Sequence, residues 1–346
     1  MEAKMKENDN LLVYELVEDS MKKGSVPKEN ILSVNRLPGD ASTRTYYRIN
    51  TENNRYVVCL ETVKNEFDAR SNFLVVGEAF LKNHVRTPII YDTIDKSGYI
   101  LQEDLGDETL LMRFAHINSI DEEYDFLKKA VDNLIKIHKI KYENYPNANF
   151  AKLMFDQEKL LSEMNFSIKN FFINFLGHHL SEHEQQCLIL HFENLCKKLS
   201  DTKFVLCHRD FHTRNIMVVN EELVLIDFQD ARIGIPQYDL VSILEDCYHK
   251  VNDQNVEKIK RYYWDNFLKA TGYQKSYEDF EKYYNLMAIQ RIFKAVGSFS
   301  FFVSQRKDYR YLKYIGYAME KLKEFLFKDS SLNELRKIIY GHYYTN

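Results

Sequence analysis

Residues 204–228, FVLCHRDFHTRNIMVVNEELVLIDF, decide the fold. Short apolar runs (VLC, IMVV, LVLI) alternate with polar loops, while the chain on either side is patterned for helices. Short β-prone runs bounded by turn formers are strands, so the segment predicts a small β element inside a helical surround. A hairpin return through MVVNEELVLI brings Asp227 back beside the polar loop that precedes it.

Within this stretch His208-Arg209-Asp210-Phe211-His212-Thr213-Arg214-Asn215 fits H-R-D-x-x-x-x-N at every defined position. Asp227-Phe228 follows at the end of LVLIDF. Order and spacing match the needs of phosphoryl transfer, which requires an acceptor for a hydroxyl proton and divalent metal on the phosphates, and leaves little covalent chemistry to the protein. Asp210 is the residue to orient and deprotonate the hydroxyl, and Asn215 and Asp227 offer hard oxygen ligands suited to magnesium. Asp and Asn are also ordinary loop residues at strand ends; the joint pattern carries the reading. His208, Asp210 and His212 alternate as zinc ligands do, but that set leaves Asn215 and Asp227 unexplained. His208 is read as structural, holding the loop through hydrogen bonds.

Upstream, Val13, Val17 and Met21 share a helical face beside Leu12 and Leu16, with Gly24 as the stop. ILSVNRL, TYYRIN and RYVVCLE, separated by PGDAST and TENN, predict an antiparallel meander. A helix over 67–81 and two further strands, PIIYDTI and GYILQEDL, complete a small lobe of five strands and one main helix. Beyond LQEDLGDETL the character is helical: Ser119 with Glu122, and Ser181 with Glu184, have the capping-box pattern that opens a helix. The expected class is therefore α+β, with residues 1–105 as a nucleotide-binding lobe and 106–346 as a catalytic and substrate-binding lobe.

The 346 residues suffice for a two-lobed domain. With 47 Lys and Arg against 51 Asp and Glu, the net charge of -4 gives no electrostatic reason to expect nucleic acid or an anionic membrane as partner. The N-terminal MEAKMKENDN lacks the apolar core of a secretory signal. Five cysteines without close pairing suit a reducing compartment, so a cytoplasmic location is expected. The most apolar stretch, MAIQRIFKAVGSFSFFVS, is interrupted by Arg291 and Lys294 and is read as a core helix.

On these residues the chain resembles the aminoglycoside and choline kinase superfamily, whose loop carries H-x-D-x-x-x-x-N followed by I-D-F. LPGDASTRTYYRI, LQEDLGD, HRDFHTRNIMV, LIDFQDARIGIPQYDLVSIL and EDCY further resemble the anomeric N-acetylmuramate and N-acetylglucosamine kinases of bacterial cell-wall recycling. The resemblance implies a two-lobed protein-kinase-like fold, ATP and Mg2+ as cofactors, and phosphorylation of the C1 hydroxyl of an N-acetylated amino sugar. Kinases of the same scaffold take choline, aminoglycosides or other metabolites, and fold alone does not choose among them. A cationic acceptor would call for acidic side chains clustered around Asp210. A nucleotide-binding pseudokinase is the third reading, disfavoured by the intact Asp210, Asn215 and Asp227.

The departures from a protein kinase are specific. RYVVCLE has no lysine where a V-A-I-K-like strand places one, so either another cation substitutes, with Arg44, Arg48 and Lys64 as candidates, or the α/β-phosphates are held differently. PGDASTR has one Gly and would cover phosphates through backbone N–H groups and the Ser42 and Thr43 hydroxyls. Glu103 and Leu105 mark the hinge where kinases hold adenine, and Asp107 suits a turn or a ribose contact. Gln229 stands where a protein kinase has Gly, and Asp239 is expected to cap the helix that follows it. Arg209, Arg214, Gln229 and Asp230 lie closest in sequence to the reacting group and are the expected sugar contacts. An Arg paired with a lactyl carboxylate would favour muramate.

Overall fold

Helix α1 (Glu2–Lys22) buries Val13, Val17 and Met21 and stops at Gly24, whose φ of 77° only glycine adopts without cost. Leu12, 46 % exposed, departs from the expected apolar face. The structure, a computed structural model, describes residues 2–37, 44–61, 72–94, 98–202, 204–273 and 276–345. Two compact units emerge: Met1–Glu108 with Met217–Gln229, and Thr109–Ile216 with Asp230–Asn346.

In the first unit β1 (Ile31–Arg36), β2 (Arg44–Thr51), β3 (Arg55–Glu61), β4 (Ile90–Ile94) and β5 (Tyr99–Glu103) form one antiparallel sheet in the order β1-β2-β3-β5-β4. The expected meander holds through β3; β5 then pairs with β3 and leaves β4 at the edge. Tyr47, Ile49, Val58 and Leu101 meet the buried face of α1 in one apolar cluster. Burial of each such side chain stabilises by about 1.5–3 kcal/mol relative to exposure. Helix α2 (Asn72–Lys82) covers the later part of the expected 67–81 helix, whose residues up to 71 lie outside the described ones.

In the second unit α3 (Leu110–Phe114), α4 (Ile120–His138), α5 (Gln157–Ile168) and α6 (Glu182–Ser200) precede strand β6 (Val205–Cys207). Ser119 accepts from Glu122 N at α4, and the Ser181–Glu184 box at α6 is reciprocal. The hairpin β7 (Ile216–Val219) and β8 (Glu222–Leu225) follows and turns at Asn220 and Glu221, both with positive φ; residues 217–229 belong to the first unit. There Leu225 N donates to Arg86 O and Val218 N to Glu108 O.

Strand β9 (Arg232–Gly234) pairs antiparallel with β6. Gly234 is needed because a Cβ would sit 2.6 Å from the Phe155 ring. Then come α7 (Gln237–Leu244), buried at every residue, α8 (Asp253–Tyr263), α9 (Tyr277–Arg306), α10 (Leu312–Phe327) and α11 (Asn333–Tyr344). π-helical segments extend α5 over Lys169–Phe175 and α8 over Trp264–Leu268. Helix α9, predicted as a core helix, is long and apolar enough to cross a membrane by length and composition, yet 72% of its apolar window is buried within the protein.

Candidate active site

The loop after β6 is held by two carboxylates from distant sequence. Asp239, fully buried in α7, accepts from His208 N at 2.6 Å and Arg209 N at 3.0 Å. Asp246 accepts from Thr213 N at 3.0 Å and Thr213 Oγ1 at 2.6 Å. Buried N–H groups need such partners, and carboxylate acceptors give the stronger bonds. The expectation that Asp239 caps its helix is therefore corrected: the N-cap is Pro236, without a side-chain cap bond, and the carboxylate serves the loop instead. Arg209 adopts φ 85°, a conformation uncommon outside glycine, and these bonds keep it there.

The pinned loop presents Asp210 to a ring of cations. Lys294 Nζ lies 3.5 Å from Oδ1, Arg209 Nε 3.8 Å from Oδ2 and Arg291 Nη2 4.0 Å from Oδ1. Burial alone would raise the Asp210 pKa, but the charges of Lys294, Arg209, Arg291 and His212 outweigh it and hold the carboxyl well below the usual range. A nearby carboxylate, Glu163 on α5, bonds Gln290 at 3.0 Å and Lys159 at 3.7 Å. Burial raises its pKa less than Lys294, Gln290, Arg291 and Lys159 lower it.

Beside Asp210 opens a cavity of about 140 Å³, lined also by His212, Tyr248, Arg291, Lys294 and Phe299. Tyr248 and Phe299 pack edge to face, their centroids 5.4 Å apart, and form an aromatic wall. Two acids on the cavity rim are already engaged: Glu245 with Lys321 at 3.0 Å and Tyr284 at 2.6 Å, and Asp246 with Thr213.

Of the expected acceptor contacts, Arg209 pairs with Asp230, and Arg214 places its guanidinium 4.9 Å from the Tyr248 ring centroid. Gln229 belongs to the other unit, where its Nε2 donates to Asp227 Oδ1 at 2.8 Å. Asn215 ties its Nδ2 to the Asp210 carbonyl at 3.0 Å. The side-chain oxygens of Asn215 and Asp227 are hard donors of the kind magnesium takes. Asp227 has φ 61°, a second left-handed non-glycine residue at the motif.

In the first unit burial, above all, pushes the Tyr46 hydroxyl above its usual pKa; Cys59 and Asp227 add to this and Arg44 opposes it. The Arg44 guanidinium sits 5.7 Å from the Phe73 centroid. Phe73 in turn stacks on Phe228 at 4.8 Å. Arg48 is committed elsewhere, bonded to Asp104 at 2.8 Å and Asp107 at 2.9 Å. Glu103 receives Arg86 at 2.9 Å, and Leu105 follows the end of β5. Ser42, Thr43 and Lys64 lie outside the described residues.

Sequence reading missed Asp239 and Asp246 as anchors and Arg291 and Lys294 as neighbours of Asp210. A signal for the last two existed. Positive charges at i and i+3 in an otherwise apolar core helix require a partner, because a buried unpaired charge is costly.

A family model for the phosphotransferase enzyme family matches residues 33–273, and the chain belongs to that family. The N-acetylmuramate/N-acetylglucosamine kinase of Neisseria meningitidis is 26% identical over 263 residues, covering 75% of this chain and 76% of its own. The enzyme of the same name from Pseudomonas aeruginosa is 26% identical over 324 residues, covering 91% and 89%. Among solved structures, the ADP-bound aminoglycoside phosphotransferase APH(2'')-Ib superposes with a TM-score of 0.60 at 16% identity, covering 90% of this chain and 98% of its own. The fold is accordingly kinase-like, a small five-stranded antiparallel sheet followed by a mainly helical remainder.

Proposed function

We propose that this phosphotransferase moves the γ-phosphate of ATP onto the C1 hydroxyl of a free N-acetylated amino sugar, N-acetylmuramate or N-acetylglucosamine, in cell-wall sugar salvage. One observation carries the choice of acceptor: Asp210 is faced by Lys294, Arg209 and Arg291, the opposite of the acidic surround that an aminoglycoside or choline would require. The aromatic wall of Tyr248 and Phe299 suits the apolar face of a sugar or its acetyl group. The names of the two bacterial relatives support the same reading.

In this mechanism Asp210 orients the hydroxyl and accepts its proton as the oxygen attacks phosphorus. A C1 hydroxyl is a hemiacetal, more acidic than the other ring hydroxyls, so a carboxylate of lowered pKa is base enough. Asn215 and Asp227 would hold Mg2+, which neutralises charge on the phosphates when bound. Gln229 orients Asp227 through its amide. For ATP we assign Glu103 and Leu105 to the adenine hinge and Ser42, Thr43 and Arg44 to the phosphates. To the acceptor we assign Arg209, Arg214 and Asp230.

The test is a panel of N-acetylmuramate, N-acetylglucosamine, N-acetylgalactosamine, choline and kanamycin with Mg-ATP, followed by phosphorus-coupled proton NMR of the product. Coupling to the anomeric proton with loss of reducing power is expected; a reducing 6-phosphate, or turnover of choline or kanamycin alone, rejects the reading. Asp210→Asn should lose about 10²- to 10⁴-fold in kcat while still binding nucleotide.

A further inference from the structure

A lysine seldom sits in the core side of a helix without a closed ion pair, because its ammonium loses hydration there. Lys294 is such a residue, its side chain 17% exposed. Its hydrogen-bond acceptor among the described residues is Asp210, at 3.5 Å, well beyond the 2.7–2.9 Å of a tight ammonium–carboxylate bond. Burial lowers its pKa, while Asp210 draws it back up. Arg291, one turn earlier on α9, is differently placed: it donates to the Tyr238 hydroxyl at 2.8 Å and lies over that ring at 4.4 Å. With three ammonium protons, one long hydrogen bond among the described residues and a cavity in front, Lys294 is equipped for a ligand, its charge being felt also by Glu163.

The distance itself indicates which ligand atom. Two groups 3.5 Å apart can both reach about 2.8 Å to one oxygen lying between them on the cavity side, a normal hydrogen-bond length to each. Asp210 and Lys294 both line that cavity. A carboxylate can take a proton from such an oxygen, and an ammonium can donate to its lone pair as negative charge develops there.

We propose that Lys294 is a further catalytic residue, whose ammonium hydrogen-bonds the acceptor oxygen while Asp210 removes the proton from that same oxygen. This rests on the phosphotransfer reading above. In the step the acceptor O–H bond breaks and its proton passes to the Asp210 carboxylate. The oxygen forms a bond to the γ-phosphorus, and the bond from phosphorus to the β,γ-bridging oxygen breaks with its electron pair leaving on ADP. Lys294 keeps its three protons throughout and serves as the donor for the nascent oxyanion. An acceptor hydroxyl that develops charge early, as a hemiacetal does, gains most from such a donor.

The test uses the full chain with Lys294→Ala, Lys294→Met and Lys294→Arg, assayed with whichever acceptor the panel returns, or with water as acceptor if none does. Loss of one oxyanion donor is expected to lower kcat by about 10²- to 10³-fold. KM for ATP should stay within twofold. Added ethylammonium should restore Lys294→Ala saturably by at least tenfold, and Lys294→Arg should recover part of the rate. Lys294→Met, an apolar chain of similar length, keeps the test valid if the alanine variant folds poorly. A kcat within threefold of wild type in Lys294→Met overturns the proposal. So does a loss in both variants that no amine rescues and that appears equally in KM, since this would mark a packing role. Failure of every amino sugar in the wild-type panel would instead overturn the proposed function, and the ethylammonium result on hydrolysis would still decide Lys294.

Discussion

Replacing Asp239 by alanine removes the shared acceptor of two buried N–H groups, His208 N at 2.6 Å and Arg209 N at 3.0 Å. Bonds to a charged acceptor contribute about 1.5–3 kcal/mol each, and an orphaned buried donor costs about 1–3 kcal/mol, so the variant should be destabilised by roughly 3–6 kcal/mol. For a unit of this size that lowers Tm by about 6–24 °C. Asp239→Asn keeps one oxygen for one of the two donors and should show about half the loss. Activity suffers separately, because Asp210 follows the released backbone directly and misplacement by about 1 Å costs about 10²-fold. Scanning calorimetry of wild type and both variants, with kcat measured well below each Tm, separates the two effects. An Asp239→Ala protein that melts within 2 °C of wild type and retains more than half its kcat would refute the anchoring role.

Asp227→Ala should weaken Mg-ATP binding as well as turnover, because it deletes the proposed charged metal ligand; a magnesium titration matching wild type at unchanged rate excludes that role. Gly297→Ala would drive a Cβ into the Ser167 Cα on the facing α5 helix and should destabilise by about 1–3 kcal/mol or more in a denaturant melt; Ser167→Gly leaves that Cα in place, so the double variant should not recover wild-type stability. Burial pushes the Cys196 and Cys247 thiols up to about 12, so Cys187, the one partly exposed cysteine of the five, should react first with Ellman's reagent in the native protein. Rapid loss of Cys196 or Cys247 instead would contradict their burial.

Local features were legible in the sequence and distant ones were not. Val13, Val17 and Met21 recur at helical spacing, and their burial follows from that spacing alone. The strands read from ILSVNRL, TYYRIN and RYVVCLE appear because alternation and turn residues act within a few positions. The placement of β4 outside β5 depends instead on which edge of β3 is available, a choice no single strand encodes. Asp239 looked like a helix cap since its sequence neighbours suit one; its true partners lie 30 and 31 residues away. Lys294 is 84 residues from Asp210, and only its discordance with an apolar helix marked it. Glu103 and Asp104 are paired by Arg86 and Arg48, which come from other strands and loops and so leave no mark in the local sequence.

The anchoring of the loop by Asp239 and Asp246 also sets a rule for recombination. Four hydrogen bonds join HRDFHT to QYDLVSILED, so the two segments behave as one inheritable block despite the hairpin between them. A chimera that takes the loop from one parent and the helix from another preserves every local motif while staking the position of Asp210 on whether two foreign backbones agree to within a hydrogen bond. Crossover points placed before Val205 or after Tyr248 leave the block whole, whereas those between Asn215 and Asp239 divide it.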